Sequence, residues 1–111
     1  MTRILTRLTV VAHASTPALR QAAFPADEPI DSYGERDCAG LALGWRPAQV
    51  YIAPELRARQ TAEALGLAGE TVPDLCDCDY GLWTGKSVRD VSDADPEGFA
   101  RWLADPLAAP H

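Results

Sequence analysis

Histidine is almost missing from this chain: His13 and His111 are the only two in 111 residues. Cysteine is nearly as sparse, and three thiols, Cys38, Cys76 and Cys78, cannot all pair within one chain. The Cys76-Asp77-Cys78 spacing differs from the two-residue gap of common zinc sites, and no second pair matches it. The thiols therefore read as free, with no metal and no cofactor. Long hydrophobic runs are lacking too. Arg3, Arg7 and scattered Gly and Pro interrupt them, which leaves no membrane span and no secretory stretch at the start. The expected location is cytoplasmic. Basic residues are outnumbered, 10 against 16, for a net charge of −6. An acidic surface argues against a nucleic-acid partner. It leaves room for a small phosphorylated ligand, because a few arginines focused in a cleft override the global sign.

What is present suffices for a core. Hydrophobic residues make up 47% of a chain of ordinary domain length, so one unit over residues 1–111 is expected. Ile4 to Ala12 reads as a strand, its Val-rich end suited to a position covered on both faces. Ser15 or Thr16 can cap a short helix with Pro17 in its first turn. Phe24 to Ile30, broken by Pro25 and Pro29, reads as a surface loop. Ser32-Tyr33-Gly34-Glu35 has the capping-box spacing, and Cys38, Leu41 and Ala42 follow at helical intervals before Gly44. Gln49 to Ala53 reads as a second strand and Glu55 to Leu65 as a helix stopped by Gly66. Thr71 to Asp79 looks extended, and Tyr80 to Gly85 looks like a glycine-bounded loop. Asp95-Pro96-Glu97 opens a last helix carrying Phe99, Trp102 and Leu103 on one stripe. Strand–helix alternation with short connections predicts an α/β fold, a mostly parallel sheet with helices on both faces.

His13 ends the first apolar run, where open α/β sheets place their ligands. Imidazole is a nucleophile near neutrality, and a helix starting just after it aims N–H groups at an anion. Taken alone, His13 reads more readily as a hydrogen-bonded histidine at a strand end. Arg57 shifts the balance. A cation in the first turn of a helix is disfavoured by roughly 0.3–1 kcal/mol, a sign that a bound phosphate reverses. Asp77 and Asp79 flank Cys78 and share a face, an arrangement that favours keeping one carboxyl protonated as an acid. On their own they read as hydrated loop carboxylates.

In order along the chain stand His13-x-Ser15-Thr16, then Ala53-Pro54-x-x-Arg57-Ala58-x-Gln60-Thr61-Ala62, then Leu75-x-Asp77-x-x-Tyr80-Gly81-x-Trp83-x-Gly85. Together they resemble the histidine phosphatase superfamily, also called phosphoglycerate mutase-like. Phe99-x-x-Trp102 followed by Asp105-Pro106 is similar to the stretch before that family's Gly-Gly-Glu-Ser turn. The resemblance implies a three-layer α/β sandwich. It also implies metal-independent hydrolysis of a small phosphorylated metabolite, through a phosphohistidine on His13. By the same resemblance Arg57, Thr16 and Ser15 hold the phosphate, Asp77 is the proton donor (usually a glutamate), and Tyr80 contacts substrate.

Several positions depart from the family pattern. Ala12-His13-Ala14 replaces Arg-His-Gly, so one phosphate-binding arginine is missing. Arg20, about one helical turn further on, is the expected substitute, and Leu19 stands in place of an asparagine. Family members continue beyond the position of His111 to a second histidine on a later strand. Residues 1–111 are thus expected to be the N-terminal part of a longer protein or a naturally shortened relative, with an exposed sheet edge that invites a homodimer. These departures keep a second reading open, a catalytically impaired phosphatase fold that binds an anion or a protein partner. A mutase-type phosphotransferase comes third, since it needs more cationic residues than are found here.

Overall fold

The computed structural model describes residues 4–107 except 42, 43, 45 and 48. Ala42 and His111, both singled out in the sequence, lie outside the described residues. A βαβ unit organises the fold. Strand β1 (Tyr51–Ile52) runs into Pro54, helix α3 (Leu56–Ala64) crosses over, and β2 (Glu70–Thr71) returns parallel to β1. Tyr51 pairs with Glu70 and Ile52 with Thr71. Glu70 N donates to Val50 O and Val72 N to Ile52 O. Gly66 ends the crossover with a positive φ of 72°, as the sequence reading anticipated.

Two helices precede this unit, α1 (Pro17–Gln21) and α2 (Ser32–Ala39). Thr16 caps α1, its hydroxyl accepting from Leu19 N, with Pro17 in the first turn. Asp31, rather than the anticipated Ser32, caps α2 by accepting from Gly34 N. Gly34 is required for proximity: a Cβ there would lie 2.6 Å from Ser15 O. That close approach seats the start of α2 on the loop after His13, where Asp31 N also donates to Ser15 O.

The core gathers around three buried side chains. Phe24, Trp83 and Val91 are buried, with Tyr80, Val88, Phe99 and Trp102 packed around them. Phe24 and Ile30 belong to a segment anticipated as surface loop, yet they are 4% and 8% exposed. The two prolines rule out a helix there, but they do not prevent the chain from turning an aromatic ring inward. Phe24 is fixed by backbone pairing, its N donating to Lys86 O and its O accepting from Gly85 N. Helices α4 (Val88–Ala94) and α5 (Pro96–Ala104) close over this cluster. Helix α4 was not anticipated, although Ser87 caps it by accepting from Asp90 N.

The anticipated first strand differs most. Residues 4–12 adopt no strand, and Ile4, Leu5, Leu8 and Val10 are 83–87% exposed. Apolar content marks a segment that gains from burial. A strand also needs a neighbouring backbone to accept its ladder. The described parallel pair is two residues long in each strand, shorter than the sheet anticipated.

Candidate active site

His13 follows residues 4–12 and is half-buried. Its Nδ1 lies 2.7 Å from the carbonyl oxygen of Ala14. A carbonyl only accepts, so Nδ1 carries a proton, and in the neutral ring the lone pair is on Nε2. In that tautomer Nε2 is the ring nitrogen available as a nucleophile. Thr61, buried on α3, ties this loop to the helix. Its Oγ1 accepts from Ala14 N at 2.9 Å and donates to Arg57 O at 2.7 Å. One hydroxyl therefore joins the residue after His13 to the residue that carries the guanidinium. The i, i+4 spacing of Arg57 and Thr61 was the available signal for that link.

Arg57 stands in the first turn of α3 with its side chain 6% exposed. Nη2 donates to Asp77 Oδ2 at 2.9 Å and Nη1 to Ala26 O at 3.3 Å. The N-cap position, Glu55, caps no N–H of its own helix. Asp27 does so from the preceding loop, accepting from Leu56 N at 2.7 Å, while Glu55 Oε1 accepts from Asp77 N. These contacts draw three segments into one groove of about 310 Å³, whose lining includes Asp27, Glu55, Arg57, Asp77, Asp79 and Tyr80.

Tyr80 joins this groove to the core. Its hydroxyl donates to Asp77 Oδ1 at 3.2 Å, and its ring lies 5.0 Å from that of Phe24 and 6.2 Å from that of Trp102, centroid to centroid. Burial, together with the neighbouring carboxylate of Asp77 and the bond to it, pushes the phenol up to about 12. It therefore stays a donor across the whole working pH range.

Of the residues expected at the site, Arg57, Asp77 and Tyr80 come together in the groove; His13 is not among its lining residues, and it is the backbone of its neighbour Ala14 that Thr61 ties to α3. The others are placed differently. Ser15 Oγ donates to Asp31 Oδ2 at 3.0 Å, and Thr16 is 1% exposed beneath its own helix. The Arg20 guanidinium lies over the Tyr33 ring, 3.7 Å from its centroid, and 4.0 Å from Asp31 Oδ2. The structure thus leaves Arg20 against α2 and does not bring it to Arg57. Cys76 is exposed, Cys78 lines the groove, and Cys38 is buried. Among the described residues no group of three or more His, Cys, Asp or Glu side chains could hold a metal ion. No described helix is long and apolar enough to cross a membrane.

The fold is α/β, with a parallel βαβ unit whose crossover helix carries the buried Arg57 in its first turn. The family model of the histidine phosphatase superfamily (branch 1) matches residues 8–111, and the chain belongs to that family. Among curated relatives it is 30% identical to the bifunctional protein Rv2228c of Mycobacterium tuberculosis, over 95% of this chain and 32% of that one. Among solved structures it is similar to TTHB049 from Thermus thermophilus, at 26% identity and a TM-score of 0.67, over 83% of this chain and 55% of that one. Mycobacterial hydrolase 1 has the same fold at 21% identity and a TM-score of 0.74, over 89% of this chain and 52% of that one. So does the mycobacterial glucosyl-3-phosphoglycerate phosphatase Rv2419c, solved with VO3, at 19% identity and a TM-score of 0.68, over 81% and 49%. The chain spans about a third of the curated relative and about half of each solved chain.

Proposed function

We propose that this chain is the His13-bearing part of a phosphomonoester hydrolase acting on a small phosphorylated metabolite. The observation that carries the reading is the Nδ1 contact of His13 to Ala14 O, which in the neutral ring puts the nucleophilic lone pair on Nε2. Family membership supports it, as does a phosphatase among the proteins of the same fold. In the proposed reaction Nε2 attacks phosphorus while Arg57 holds the phosphoryl oxygens. The phosphorus–oxygen bond to the alcohol breaks, and protonated Asp77 gives its proton to the departing oxygen. Water then attacks phosphorus, its proton passes to the Asp77 carboxylate, the phosphorus–nitrogen bond breaks, and inorganic phosphate leaves. Tyr80 fixes Asp77 and lines the substrate side of the groove. Ser15 and Thr16 shape the His13 loop through their hydrogen bonds at the starts of α2 and α1, and Arg20 steadies α2.

A second reading, an anion-binding module without turnover, draws on Ala12, which stands where the family has a phosphate-binding arginine. Hydrolysis of p-nitrophenyl phosphate by the wild type and by His13→Ala separates the two. The enzyme reading expects turnover that His13→Ala abolishes. Vanadate binding without wild-type turnover overturns it in favour of the module.

A further inference from the structure

Asp77 occupies the place that the phosphatase reading reserves for a phosphoryl group. Its Oδ2 sits on Arg57 Nη2, and Arg57 is the one cation among the described lining residues of the groove. Its Oδ1 accepts from Cys78 N at 2.7 Å and from the Tyr80 hydroxyl. The other groups facing it are Glu55 from the start of α3, Asp27 from the loop before α2, and Asp79 on its own segment. All three are acids. Once Arg57 is taken by another anion, Asp77 is left with carboxylates and neutral donors. A carboxylate beside a dianion, with no cation of its own, favours its protonated form.

Resting on the phosphatase reading, we infer that Asp77 is the internal counter-anion of the phosphate site: an incoming tetrahedral dianion displaces it from Arg57, and the displaced carboxylate takes one proton from solvent. No covalent bond to the ligand forms in this step, and the dianion keeps its charge. Substrate binding then arms the acid that the chemistry needs, so no separate proton delivery is required. Tyr80 is the positioning residue. Held between Phe24 and Trp102, it keeps Oδ1 in place while Oδ2 leaves the guanidinium. Because a proton enters with the ligand, dianion affinity falls as pH rises through the range of uptake.

Calorimetry with tungstate, a tetrahedral dianion that does not titrate near neutrality, tests this in two buffers of different ionisation enthalpy. Wild type is expected to take up protons on binding. Asp77→Asn is expected to lose the uptake and to bind tungstate about tenfold tighter, because its internal competitor is neutral. The carbon-13 shift of the Asp77 carboxyl group reads the same event without a variant, moving to the protonated position as tungstate is added. Binding with no proton uptake, with equal uptake in Asp77→Asn, or with an unmoved carboxyl shift overturns the inference and leaves the phosphatase reading standing. No tungstate binding at all overturns both.

Discussion

Replacing Thr61 by valine removes a single hydroxyl while keeping the side chain's shape. That hydroxyl makes two bonds, accepting from Ala14 N and donating to Arg57 O, at a residue 5% exposed. The two bonds are not equivalent. Arg57 O lies in the first turn of α3 and keeps its helical partner, so its loss is small. Ala14 N has no such reserve; it is only part-buried, so leaving it unsatisfied costs up to the roughly 1–3 kcal/mol of a fully buried donor. Thr61→Val is therefore expected to destabilise by up to that amount in urea titrations, with the slope unchanged. The catalytic consequence follows from the same contact. The loop beside His13 loses its tie to the helix bearing Arg57, and an ångström of misplacement costs up to about a hundredfold in turnover. Thr61→Ser keeps both bonds and loses only a methyl group. It is the control, with nearly wild-type activity and a loss of roughly 1 kcal/mol or less. Thr61→Val matching Thr61→Ser in both urea midpoint and phosphate-ester turnover would refute the bridge.

Arg57→Ala removes the buried guanidinium, and kcat/KM for a phosphomonoester is expected to fall roughly 10²–10³-fold; an unchanged value would place the phosphate elsewhere. Tyr80, raised from its ordinary 10.0 to about 12, predicts a phenolate absorbance step near pH 12 that Tyr80→Phe removes. The sign is that of a group with a raised folded-state value: its contribution to stability is complete below pH 10.0 and fades as pH climbs through about 12. Burial sets the thiols apart. Cys38 is pushed up by burial first and by Asp37 second, so it is expected to be alkylated last, after exposed Cys76. Mass mapping that finds Cys38 modified first would contradict its packing.

The sequence was most informative where local chemistry decides the outcome. Helix α3 was legible because Pro54 and Gly66 bracket a helical stripe, and α5 because Asp95-Pro96 is a start signal that its Asp95 cap fulfils. Parallel pairing of β1 and β2 followed from the crossover helix between them. Long-range contacts were not legible. Nothing local says that Asp77 rests on Arg57, 20 residues away, or that Glu28 accepts from Ala18 N and Gln60 from Ile30 N. Phe24 was hidden by flanking prolines, whose turn signal speaks for the backbone and not for the ring. Helix α4 went unseen because a seven-residue helix offers too few turns for periodicity, leaving the Ser87 cap as its only mark. Residues 4–12 show the converse: hydrophobic content predicted a strand, but pairing depends on a partner that composition does not reveal. Arg20 fits the same pattern, since spacing placed it one turn beyond His13 and the Tyr33 ring holds it there.

The central claim is that Nε2 of His13 forms a bond to phosphorus. Rapid mixing with a phosphorus-32-labelled phosphate ester, followed by an alkaline quench and peptide mapping, reads that bond directly. The account predicts acid-labile, alkali-stable label on the peptide containing His13, gone in His13→Ala. Turnover of the ester with no label trapped on that peptide at any quench time would contradict it.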